Sequence, residues 1–240
     1  MKEHTKKSRL EVPKSSSGDH VHAIVRAALG AIPFGGQAAI EAFTSFVNPP
    51  LTKRQQEWME DVSNRLNRLS EVRQVNLDEL QNNDVFMDLL LSANRVAILN
   101  SQEEKKEALR NAIENAAVGD GLDEALQHMF IHWIDELSVW HLRLLKFFRN
   151  PKEWAERHGI SFPSYYASSA SQLLEVAFPE LKERRNFYDQ VWRDLHQRGL
   201  VSVDSLHTLV SGQGLYNNQS SEMGMQFLEF IGRDEERKDP

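Results

Sequence analysis

His128 and His132 stand four residues apart in "HMFIH", with Asp135 and Glu136 close behind. On a helix that spacing puts two imidazoles on one face, as zinc coordination requires. The rest of the signature is missing. There is no His-Glu-x-x-His and no Glu-x-x-His of the di-iron bundle type. With Leu126 as the middle of the apolar stripe and about 100° per residue, His128, His132 and Asp135 fall near 200°, 240° and 180°. They are expected on a solvated face, so His128 and His132 are weak metal candidates, and no metal or other cofactor is predicted.

The other residue types that do chemistry form no recognised constellation. His141 falls at the edge of the same stripe and reads as a hydrogen-bonded core neighbour rather than a catalyst. No serine sits between glycines as a nucleophile elbow needs. Gly30, Gly35 and Gly36 match neither phosphate-binding glycine pattern. The chain has no cysteine, which removes thiol catalysis, disulfides and zinc fingers together and suits a reducing cytosol. The expectation is a non-enzymatic, cytoplasmic protein.

The 240 residues are 40% apolar and 26% charged, ordinary for a globular protein and unlike a disordered or polytopic membrane chain. A net charge of -7 argues against coating nucleic acid, because phosphate neutralisation needs a basic face. Nucleic acid is therefore not an expected partner.

The elements that must position these residues are helices. Residues 1–19 read as a disordered basic arm rather than a secretory leader, since the apolar run starts late and carries Arg26. From 51 to 160 a helical bundle is expected. Its first helix shows Trp58, Val62, Leu66, Leu69 and Val72 at spacings of three and four, with Thr52 as N-cap. Further helices are expected over 77–99 and 101–117, the latter ended by Gly119 and Gly121. One long helix over 122–149 carries a broad apolar stripe and stops at Asn150-Pro151.

From 161 to 240 the texture changes to short helices at 169–178 and 183–197, a strand-like "RGLVSV", a turn-rich "SGQGLYNNQ" and a closing helix capped by Ser220 or Ser221. This is the order of a winged-helix module with a charged tail. From 172 onward it holds 8 basic against 12 acidic residues, which suits protein contact better than phosphate contact.

The least polar stretch is "AIVRAALGAIPFGGQAAIEAFTSFV", residues 23–47. Its uncharged run between Arg26 and Glu41 is about 14 residues, short of the roughly 20 a spanning helix needs. Pro33 and the Gly35-Gly36 pair break it. Residues 20–50 are thus expected as a hairpin of two short helices, about 20–31 and 36–48, joined by "IPFGG" around Phe34. Small residues such as Gly30 let the arms approach closely, while Phe43 and Phe46 supply apolar contact for a membrane or partner. Two roles fit: a hairpin that stays in the core, and one that is released to insert in a membrane as an oligomer.

The small-residue apolar segment, "EEKKEALRNAIENAA", "MFIHWIDELSVWHLRLLKFFRNP" and the closing "SSEMGMQFLEFI" together resemble poorly characterised bacterial helical proteins of the abortive-infection alpha type, over about residues 23–232. The resemblance implies anti-phage defence, through damage to the host membrane, and transfers no catalytic residue. The fold expected is all-α: a multi-helix bundle with an N-terminal apolar helical hairpin and a small winged-helix-like C-terminal part. The function expected is a non-enzymatic defence effector, cytoplasmic at rest and membrane-associated on activation, with self-association or a protein partner. The alternatives are a cytosolic adaptor or sensor that binds a phage or host protein, and a winged-helix transcription regulator.

Overall fold

The structure, a computed structural model, describes residues 37–73, 75–119, 121–164 and 166–232. It is mostly helical, as expected, with one small two-stranded sheet among the described residues. The chain divides into two compact units, 1–131 and 132–240.

The N-terminal unit is built on helix α1, Gln37–Val72. The expected stop at Pro49-Pro50 is corrected: α1 runs through both prolines, and Thr52 lies inside it rather than capping it. Both prolines are exposed, so their rings take no room from the packed face. Trp58, Val62 and Leu66 face inward at helical spacing. The helix packs against α3 (Asp84–Leu99), which buries Phe86, Leu89, Ala93 and Val96, and α4 (Glu103–Val118), which buries Ala108, Leu109, Ala112 and Ile113.

The helix expected over 77–99 is two, α2 (Leu77–Gln81) and α3. Asn76 caps α2 by accepting from the backbone N–H groups of Asp78 and Glu79, and Asn83 caps α3 by accepting from Phe86 at 3.1 Å. A new cap inside a periodic run restarts the helix. Gly119, at φ 90°, closes α4 in the left-handed conformation that favours glycine.

The long helix expected over 122–149 is likewise two, α5 (Glu124–Glu136) and α6 (Val139–Arg149), with Ser138 opening the second. The division between the two units falls inside α5. The buried residues of α5 include Phe130, Ile131 and Ile134, so its inward face is centred past Leu126, which is half-buried.

In the C-terminal unit α6 buries Leu142, Leu144, Leu145, Phe147 and Phe148. Asn150 then ends α6 and caps α7 (Pro151–His158), accepting from the Glu153 N–H at 3.3 Å. Strand β1 (Ala167–Ser169) leads into α8 (Ala170–Ala177) and α9 (Arg185–Gln197). Strand β2 (Leu209–Ser211) pairs antiparallel with β1, Ser168 opposite Val210, and α10 (Glu222–Ile231) closes the unit. The strand expected at "RGLVSV" is only an isolated bridge, Val201 to Ser220. Phe148 packs edge-on against Trp192 of α9 at 4.8 Å between centroids, a geometry aromatic rings prefer.

Candidate functional site

Of the residues singled out in the apolar stretch, Arg26, Gly30, Pro33, Phe34, Gly35 and Gly36 lie outside the described residues. Glu41, Phe43 and Phe46 fall in the first turns of α1. Among the described residues no helix is long and apolar enough to cross a membrane.

His128 and His132 do not share a ligand position. His128 Nε2 lies 4.0 Å from Glu124 Oε1, one turn back along α5, whereas His132 Nε2 lies 3.2 Å from Glu136 Oε1, one turn forward. His128 instead joins Glu124 and Asp88 of α3, with one potential ligand atom from each residue all within 4.8 Å of one another. Both carboxylates are exposed and His128 is half-buried. Such groups keep their hydration without a metal, and structural zinc sites are closed by four ligands; we assign no metal there. Asp88 was not legible as a neighbour because it lies about forty positions upstream.

His141 is a buried, hydrogen-bonded residue. Its Nδ1 accepts from the Ser138 backbone N–H at 3.1 Å, and its Nε2 lies 3.4 Å from Asp194 Oδ2. Burial pushes its pKa below 6.5, against the opposing pull of Asp194. The imidazole is thereby used up in opening α6 and joining it to α9.

In the N-terminal unit the polar focus is Arg110, whose side chain is 11% exposed. It pairs with Asp61 and Glu103, each at 2.5 Å, and with Glu107 at 3.2 Å, and it lies over the Trp58 ring at 5.4 Å. Burial alone would lower its pKa, but the Glu103 hydrogen bond and the surrounding carboxylates outweigh it and raise it. Arg65 extends the network to Glu107 at 2.9 Å and Glu114 at 3.6 Å. Every guanidinium here is committed to structure.

A sizeable cationic cleft lies in the C-terminal unit, with a volume of about 770 Å³. Arg143, Lys146 and Arg149 line it from α6 at three-residue intervals, roughly 4.5 Å apart along the axis. Arg157 and the Trp154 ring line it from α7, and Phe178 from the segment after α8. Two carboxylates, Glu153 and Glu180, are also in the wall.

These positions follow from packing. Phe147, between Lys146 and Arg149 and their apolar neighbours, turns inward against Trp154 at 5.1 Å and Phe178 at 5.5 Å. Burying Phe147 therefore turns the cations outward. Trp154 stacks on His158 at 3.9 Å and 16°. Arg157 is ion-paired with Glu153, which also accepts from Asn150 at 2.9 Å. Lys146 and Arg149 have no ion pair among the described residues. The volume lies within the range of small-molecule sites.

The chain matches no family model, and comparison with curated proteins and with solved structures returns no similar protein.

Proposed function

We propose that this chain is a non-enzymatic bacterial anti-phage defence protein of the abortive-infection type. In this reading the apolar 23–47 segment meets the membrane and the N-terminal bundle is its mount. The observation that supports it is the continuity of α1 from Gln37 to Val72. At 1.5 Å per residue this is a rod of about 54 Å, whose first third is the second half of the apolar segment. Among the described side chains of α1, the buried ones begin at Gln55, beyond Pro49-Pro50. A rod with its core contacts at one end and apolar sequence at the other can transmit a displacement of either end to the other.

The test is leakage from dye-loaded anionic phospholipid vesicles, with anionic lipid chosen to attract the basic residues of 1–19. Purified full-length chain is expected to release the dye, and vesicles that stay intact at every concentration would leave the adaptor or sensor reading in its place. That second reading has its own support in the cationic cleft. The order β1, α8, α9, β2 and α10, with β1 paired to β2, suits a winged-helix-like part used for protein contact. A transcription regulator is disfavoured by the acidic balance of this part of the chain.

A further inference from the structure

We infer that the cleft between α6, α7 and Phe178 binds a small phosphorylated ligand of nucleotide size. The inference stands on the C-terminal unit alone and does not depend on the membrane reading. Lys146 and Arg149 are cations without an ion pair among the described residues, on one side of one helix, in a chain with an excess of acid. Their axial spacing matches the reach of neighbouring phosphate oxygens, and Arg presents a planar fork that phosphate accepts in pairs. Glu153, one of the two carboxylates in the wall, is already held by Arg157 and Asn150. It stiffens the wall more than it opposes an anion.

The aromatic part of the wall supplies the other half of such a ligand. Trp154 is fixed by Phe147, Phe178 and His158, so it loses little freedom on binding. A purine or pyrimidine base stacks on rings of this kind, and the exposed His158 ring, which covers one face of Trp154, continues the stack that a base can join. A long polyanion fits less well. Lys146 and Arg149, the cations without an ion pair among the described residues, are confined to one helix, Glu180 stands exposed in the wall, and the net charge of -7 repels an extended backbone.

The probes are adenosine 5′-diphosphate, inorganic pyrophosphate and adenosine, titrated calorimetrically into the full chain. The diphosphate should bind more tightly than either fragment. The Lys146→Ala/Arg149→Ala variant should weaken it by about tenfold or more with an unchanged melting temperature, since the first residue is exposed and the second half-buried. Trp154→Phe should weaken the diphosphate but leave pyrophosphate unaffected. Arg193→Ala, outside the cleft, should change nothing. Absence of binding by the wild-type chain at about 1 mM of the diphosphate and of pyrophosphate would overturn the inference. So would equal affinity in the double variant, or duplex DNA that displaces the diphosphate and binds through the same two cations.

Discussion

Gly224 sits directly on the backbone of Leu200: a Cβ added to it would stand 2.0 Å from the Leu200 carbonyl oxygen. That oxygen already accepts from the Ser221 N–H at 3.0 Å, and the Ser221 hydroxyl caps α10 by accepting from Gly224 N–H at 2.9 Å. The start of α10 is thus seated on the chain that leaves α9. Because the obstructing atom is backbone, Gly224→Ala cannot be relieved by a rotamer change. It should destabilise the protein by about 1–3 kcal/mol or more, in spite of the better helix propensity of alanine. Urea unfolding measures it, and an unchanged midpoint would mean that α10 is not held where it is described.

Arg110 gives an asymmetric prediction for the N-terminal unit. Its side chain is 11% exposed while that of Asp61 is 39% exposed. Arg110→Ala leaves Asp61, Glu103 and Glu107 facing one another and removes the contact over Trp58. The loss should be about 2–4 kcal/mol. Asp61→Ala leaves two carboxylates on the guanidinium and should cost about 1 kcal/mol or less. Equal costs for the two single variants, measured by thermal or urea unfolding, would contradict the view that Arg110 is the hub.

How much of this was legible depends on what each signal competes with. The inward spacing of Trp58, Val62 and Leu66 could be read directly, as could Gly119, Asn150-Pro151 and the Ser221 cap. The breaks at Asn82-Asn83 and Ser138 could not, because apolar periodicity continues across them and a single capping side chain decides the restart. The opposite failure occurs at Pro49-Pro50, where a strong local stop signal is overridden and α1 continues.

The cleft was hidden in a different way. Arg143, Lys146 and Arg149 are visible in "RLLKFFRN", but summing charge over a whole segment averages a local row away. Trp154 and Phe178 join that row only after the aromatic packing around Phe147 brings three elements together.

The His141 imidazole makes the C-terminal unit sensitive to acid. Burial lowers its folded pKa below 6.5, so between the two values the unfolded chain binds more protons than the native one. Stability is then complete above about 6.5 and is lost as pH falls through the folded value. Asp194 favours the imidazolium and Arg198 opposes it, but burial dominates. Melting should drop between about pH 7.5 and 5.5, with a slope from this group no steeper than about 1.4 kcal/mol per pH unit, the limit for one proton. His141→Gln can still accept from the Ser138 N–H and should flatten that slope. A slope unchanged in the variant would assign the acid sensitivity to other groups.

Glycines 35 and 36 carry the prediction that ties the apolar segment to effect in cells. Replacing both with arginine adds bulk and two charges at the turn of the expected hairpin, where close approach depends on small side chains. The variant should express as a folded protein with the same melting midpoint, because the buried residues among the described side chains of α1 begin at Gln55, and should lose any growth arrest caused by the wild-type chain. Full toxicity in the variant would separate the segment from the effect.

Pro49 and Pro50 test whether the rod is tuned for stability or for function. They remove the N–H donors that the carbonyls of Ser45 and Phe46 would otherwise meet within α1. Each interior proline costs a helix about 3 kcal/mol relative to alanine. Against this, losing a proline loosens the unfolded chain by only about 0.4–1 kcal/mol. Pro49→Ala/Pro50→Ala should therefore raise the melting temperature. If the prolines are kept because α1 must yield there when the apolar segment engages a membrane, the same variant should release less dye from vesicles. A more stable variant with undiminished leakage would make the prolines incidental to function, and a less stable one would mean that the helix depends on its turn at Pro49-Pro50.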